Sequence, residues 1–250
     1  MPRYRIRTPL RRPLPGGRKN RRSGESLDFM ELRGYTPGDD LRFVDWKAYA
    51  RSGRLYTRVW EGEERTRFSF FFDTSASMGL WGKGQYAGRV LDTLIKAALP
   101  EETYLLAAKG PVRVRRPREY EHLLRDAPKN VFAAGSLQKA KGQLLIISDA
   151  LDQGDWAALA RRLQKHSPVL VHILASQEIE PPPREAEWRD VESGARKRVG
   201  RPEITRYRAG IQKHLASLRK AFRRYGDYVG LLVGDEIIPS LRRQKLLEWR

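Results

Sequence analysis

Asp73, Ser75 and Ser77 stand at alternate positions in "RFSFFFDTSASMGL", residues 67–80, directly after a run of apolar residues. A second apolar run, "QLLIISDA", ends on Asp149. Where a chain leaves a strand and turns sharply, side chains at alternate positions can point into one cavity. Two carboxylates and two hydroxyls there form an oxygen-rich set suited to a hard cation, Mg2+ or Mn2+, which favours carboxylate, hydroxyl and water ligands. Asp and Ser after a strand also cap the following helix by accepting its orphan N–H groups. At the level of these residues alone, both roles stand open.

Such a site needs elements that bring two strand ends together. "RFSFFFD", "QLLIISD" and "PVLVHIL" each carry a dense apolar run, as strands buried on both faces do. Between them, "QYAGRVLDTLIKAAL" places Tyr86, Val90, Leu94 and Ala98 four apart on one helical face. "DWAALARRLQKH" and the stretch from Glu203 to Arg224 predict two further helices, the second burying Tyr207, Ile211, Leu215, Leu218 and Phe222. "TYLLAAK" and "PVRVRR" predict a hairpin turning at Gly110 and Pro111, "REYEHLLRD" a short helix, and "YVGLLV" a closing strand. Alternating strands and helices predict an α/β fold, a doubly wound, mainly parallel sheet with helices on both faces. In such sheets ligands bind beyond the carboxyl ends of the strands, which is where Asp73 and Asp149 fall. The runs around Phe70 and Ile146 should be adjacent and central.

The chain has 250 residues, 40% of them apolar, enough for a substantial core. Lys plus Arg outnumber Asp plus Glu by 49 to 30, a net charge of +19 that favours acidic partners. Residues 1–24 hold nine basic residues and no acidic one; their Pro, Gly and charge content predicts a basic flexible arm. Residues 25–66 read as an aromatic-rich extension packing on the sheet, with Tyr35, Trp46, Tyr49, Tyr56 and Trp60 as packing residues. Residues 67–250 read as the main domain, with a surface hairpin inserted at about 181–200 around Ser193-Gly194. Cysteine is absent, which excludes disulfides and thiolate chemistry. No apolar run approaches a membrane span, and the basic start lacks the apolar stretch of a secretory signal, so a soluble cytoplasmic chain is expected.

Enzyme signatures are weak. "GKGQYAG", residues 82–88, has dinucleotide-type glycine spacing but begins nine residues after its strand. There is no phosphate-loop motif, no H-E-x-x-H and no G-x-S-x-G elbow. Ser75 occupies the place where an aspartyl-nucleophile phosphatase needs a second carboxylate. His122, His166, His172 and His214 stand singly.

"DTSAS" resembles the Asp-x-Ser-x-Ser element of von Willebrand factor A domains. Their metal-ion-dependent adhesion site adds a Thr from a later loop and an Asp at the end of the fourth strand. By that resemblance Ser136, in "AAGSLQKA", stands in the Thr position and Asp149 in the Asp position. A departure is the short distance from Ser136 to the next strand, where the family has a full helix. The upstream stretch "GRKNRRSGESLDFMELRGYTPGDDLRFVDWKAYARSGRLYTRVWEGEE" and the later "EWRDVESG" are similar to a bacterial family catalogued as domain of unknown function fifty-eight, which carries such an A-like domain.

The resemblance implies a partner or adaptor role beside a MoxR-type AAA+ ATPase; the weak enzyme signatures point to a non-enzymatic module, with a metal-dependent hydrolase left open. The metal set that the resemblance implies would be Asp73, Ser75, Ser77, Ser136 and Asp149, holding Mg2+ or Mn2+ weakly until a partner's acidic residue completes the shell. The alternative is a nucleic-acid or polyanion binder using the arm and the basic run from Arg196 to Arg224.

Overall fold

A computed structural model describes residues 4–7, 27–35, 41, 44–62, 66–129, 131–132, 135–152, 154–182, 186–191 and 193–249. In chain order the strands are β1 (Tyr4–Ile6), β2 (Leu27–Gly34), β3 (Tyr56–Gly62), β4 (Arg67–Phe72), β5 (Glu102–Ala107), β6 (Gly110–Val114), β7 (Gln143–Ser148), β8 (Val169–Leu174), β9 (Ala186–Arg189), β10 (Arg196–Val199), β11 (Asp227–Leu232) and β12 (Leu247–Trp249). The α-helices are α1 (Trp46–Ser52), α2 (Lys83–Ala98), α3 (Trp156–Arg162), α4 (Ser176–Ile179), α5 (Arg201–Tyr225) and α6 (Ile237–Arg243). Two compact units result, Met1–Leu10 with Thr66–Arg250, and Arg11–Arg65.

The larger unit is a mixed α/β domain on a six-stranded sheet ordered β11-β8-β7-β4-β5-β6. Every neighbouring pair is parallel except β5 with β6. The apolar runs behave as their composition dictates. β4 and β7 are central and adjacent, with Phe70 opposite Leu145 and Phe71 opposite Ile146. Strand alternation sends Phe68, Phe70, Phe72, Leu145 and Ile147 to the face covered by α2 and α6. Phe71, Leu144 and Ile146 go to the opposite face, under α3 and α5. Ser69, the one polar residue within the apolar β4 run, is satisfied by a reciprocal pair of hydrogen bonds with the Lys141 backbone, at 2.9 and 2.8 Å. The face of α5 follows its pattern, with Ile211, Leu215, Leu218 and Phe222 buried. β9 and β10 form the expected antiparallel hairpin.

Three local expectations change. The β5–β6 hairpin turns at Ala108-Lys109, because Ala107 pairs with Gly110 and Pro111 lies within β6. An edge strand tolerates that proline's missing N–H. "REYEHLLRD" does not form an α-helix. Arg118 takes a left-handed φ of 66°, which interrupts the run, and only Leu123–Asp126 winds into a 3-10 turn. Within residues 1–24, Tyr4–Ile6 is not a loose arm but a strand paired with β12, with Ile6 buried in the α2-side core. Residues 1–3 and 8–24 of that segment lie outside the described residues.

The smaller unit pairs β2 with β3 antiparallel, with α1 in the connection between them. Asp45 caps α1 by accepting the Ala48 N–H at 2.9 Å. Trp46 and Tyr49 were expected to pack, yet both are exposed and meet each other edge to face at 6.2 Å.

Candidate functional site

Three neighbouring parallel strands, β4, β7 and β8, each hand the chain to an acidic residue at or soon after their carboxyl ends: Asp73, Asp149 and Glu178. Asp73 leaves β4 with its own N–H still bonded to the Ile147 carbonyl of β7, at 3.0 Å. Its side chain is fully buried. One carboxylate oxygen accepts the Ser75 N–H at 2.9 Å and the other accepts the Ser148 hydroxyl at 2.5 Å. Ser148 Oγ in turn accepts the Ala150 N–H at 2.9 Å. Ser75 Oγ and Ser77 Oγ lie 3.1 Å apart, both half-buried. Asp73 thus closes a local turn onto Ser75, and the 3-10 segment Ala76–Gly82 that follows has no side-chain cap.

Burial pushes the Asp73 carboxyl above its ordinary range; the Ser148 and Ser75 hydrogen bonds pull it back, and the Asp149 charge raises it again. Asp73 and Asp149 therefore feel each other across the ends of β4 and β7. The Asp149 carboxylate has a partner of its own: one oxygen accepts from Lys83 Nζ at 2.6 Å. Lys83 also pairs with Glu178, whose other oxygen accepts the Ala175 N–H at 2.9 Å. Lys83, Asp149 and Glu178 are all buried, with Lys83 at 0% exposure. Burial raises the Glu178 carboxyl, against the opposing pull of Lys83.

Two imidazoles hold the loop that carries Asp149. His172, on β8, donates from Nε2 to the Asp149 carbonyl at 2.7 Å, and its Nδ1 accepts the Tyr228 hydroxyl at 2.8 Å. A carbonyl can only accept, so Nε2 carries the proton. Burial pushes the His172 pKa down to about 4, which keeps the ring neutral. His214 Nε2 donates to the next carbonyl, that of Ala150, at 2.7 Å. Ala150 itself is left-handed, with φ 50°, a conformation that needs such external support.

Ser136 falls in a 3-10 turn, Gly135–Lys139, and is buried. Its hydroxyl has no hydrogen-bond partner among the described residues, an unmet polar group that marks a place for a ligand or water. Among the described residues no hydrogen bond joins it to Asp73. Hydrogen bonds join Asp73 to Ser75 and Ser75 to Ser77, while Asp149 couples to Asp73 through charge.

The fit to a divalent ion is divided. The hydroxyls of Ser75 and Ser77 beside a desolvated carboxylate suit a hard cation. Asp149 is already neutralised by an ammonium. Among the described residues no cluster of three or more Asp, Glu, His or Cys is arranged as a metal-binding group.

Sequence reasoning missed Lys83 and Glu178. A lysine opening a helix reads as a surface residue, and Glu178 lies four positions beyond its strand. No local signal pairs them, because Asp149 and Glu178 follow strands, β7 and β8, that the fold sets side by side.

Residues 31–110 match the model of the family described as "Protein of unknown function DUF58". That span includes Asp73, Ser75, Ser77 and Lys83, while Ser136, Asp149 and Glu178 lie beyond it. It supports the resemblance drawn from the stretch before β4. No curated protein matches the chain. Among solved structures, the conserved hypothetical protein BatB from Bacteroides thetaiotaomicron is similar at 11% identity, covering 72% of this chain and 96% of that one, with a TM-score of 0.40. No helix among the described residues is long and apolar enough to cross a membrane.

Proposed function

We propose that this chain is a non-enzymatic protein-binding adaptor whose contact face is the carboxyl edge of the sheet around Asp73, Ser75 and Ser77. It holds Mg2+ or Mn2+ weakly, and a partner's acidic side chain supplies the missing ligand. The partner implied by the family resemblance is a MoxR-type AAA+ ATPase. The observation that carries this reading is the buried Asp73 carboxylate, which accepts the Ser75 N–H and the Ser148 hydroxyl from the end of adjacent β7, with the half-buried Ser75 and Ser77 hydroxyls 3.1 Å apart in the loop it closes. The neighbouring groups support ligation over proton transfer. His172 is sealed and neutral, and Lys83 is locked between carboxylates, so carboxylate and hydroxyl oxygens are what the site offers. When bound, the ion would offer an open coordination position to an incoming carboxylate; Asp73, Ser75 and Ser77 would hold it, with the buried Ser136 hydroxyl as a further candidate ligand.

Capture of the purified MoxR-type ATPase from the same genome tests this directly. Binding should require Mg2+, be lost in EDTA, and be lost in Asp73→Ala. Equal capture in EDTA would refute it.

A second reading, polyanion binding, draws on α5. Its outer face carries Arg219, Lys220, Arg223 and Arg224 around a shallow depression, and Glu203 is the only acid in the helix. Duplex DNA retained by the wild type, and released steeply with salt because neutralised phosphates take back counterions, would favour this reading.

A further inference from the structure

Lys83 is placed where physical chemistry discourages a cation. It is the first residue of the 16-residue helix α2, and the aligned peptide dipoles put partial positive charge at that end. It is also wholly buried, the only lysine or arginine so placed among the described residues. The chain reaches this arrangement through a costly turn, because Trp81 and Gly82 immediately before it are both left-handed, with φ 50° and 74°. Gly82 adopts that φ freely, whereas Trp81 does so against its side chain's preference. The turn carries Lys83 inward and leaves the Trp81 ring 47% exposed, its centre 5.7 Å from the ammonium. What offsets both penalties is the pair of buried carboxylates, Asp149 and Glu178, arriving from the ends of β7 and β8.

We infer that the Lys83 ammonium is the built-in cation of this site: it bridges Asp149 and Glu178 in the resting protein, and a divalent ion gains Asp149 as a ligand only where Lys83 is absent or withdrawn. The inference rests on the proposed ion position beside Asp73 only for where the metal goes. Two cations of combined charge three cannot share one desolvated carboxylate at contact distance without strong mutual repulsion. The Asp73, Ser75 and Ser77 half therefore remains available to a metal in the wild type, and the Asp149 half does not. The inference therefore predicts weak metal affinity in the resting chain, with one carboxylate where two appear in the sequence.

The test is calorimetric titration of Mn2+ into the wild type, Lys83→Met, Lys83→Met/Asp149→Asn and Asp73→Ala, each checked by its melting curve. Lys83→Met should bind Mn2+ at least tenfold more tightly than the wild type, and adding Asp149→Asn should cancel that gain. A buried ion triad with a purely structural role predicts lower stability in Lys83→Met with no gain in metal affinity. If Lys83→Met does not melt cooperatively, Lys83→Met/Glu178→Gln removes one charge of each sign and should show the same gain. No gain in whichever variant folds overturns the inference, as does a gain that survives Asp149→Asn. Wild-type binding that Asp73→Ala abolishes, with no gain in the Lys83 variants, overturns this inference and leaves the proposed function standing. Absence of Mn2+ binding in all four proteins overturns both.

Discussion

His172 and His214 looked like isolated histidines, and each donates to a carbonyl of the loop that carries Asp149. Their work is to hold a left-handed Ala150 in place, and for His172 that work depends on the ring's being neutral. In the unfolded chain His172 returns to an ordinary pKa of 6.5, against about 4 when folded. Between those values the unfolded chain binds the additional proton. Stability is therefore full above about pH 6.5 and falls as pH drops through the window, by on the order of 3 kcal/mol, levelling off below about pH 4. Asp73 and Glu178 act in the opposite sense, because burial raises both carboxyls. The difference between wild type and His172→Gln isolates the imidazole. Urea unfolding at pH 7 and pH 4.5 should show a smaller loss in the variant, and equal losses would contradict the assignment. Asp73, Ser75, Ser77 and Asp149 were legible as candidates because they follow apolar runs in sequence. Lys83 was not, since its partners come from strands whose adjacency only the fold reveals.

At the level of elements, hydrophobic periodicity identified β4, β7, β8, α2, α3 and α5, because each buries a long, regular face. The short pieces were less legible. Tyr4–Ile6 is a strand only because β12, more than 240 residues later, offers it an edge. No local pattern encodes that pairing. "REYEHLLRD" has helical composition, yet the left-handed Arg118 and the buried Tyr120 hold the chain against the core instead. One glycine fixes how the site's two central strands meet. Gly142, with φ 69°, precedes β7, and a Cβ there would come within 2.0 Å of the Arg67 carbonyl oxygen at the start of β4. Both the conformation and the backbone contact exclude a side chain. Gly142→Ala should therefore destabilise the domain by about 3 kcal/mol or more, because the Arg67 carbonyl is backbone and cannot swing away. Thermal melting checks it, and a melting temperature within a degree or two of wild type would show that β7 shifts without cost.

Across the whole molecule, the chain ends are tied together. Arg5 pairs with Glu248 at 2.9 Å, the Tyr4 and Trp249 rings stack at 4.6 Å, and the Arg242 guanidinium lies 4.8 Å from the Trp249 ring centre. Removing residues 1–24 to test the basic arm would also remove this clasp and expose Ile6's place in the core. Replacing Arg11, Arg12, Arg18, Lys19, Arg21 and Arg22 with Gln in the full chain separates the charge from the clasp. The sheet edge gathers buried carboxylates around one internal ammonium. Function is proposed at that edge, so the most direct measurement is calorimetric titration of Mn2+ into wild type and Asp73→Ala, paired with their melting curves. The wild type should bind one ion weakly and Asp73→Ala none, while the variant loses only about 1–2 kcal/mol of stability from its two hydrogen bonds. Equal Mn2+ binding by both proteins, or a large loss of stability with no change in binding, would contradict the assignment and leave Asp73 as a purely structural turn residue.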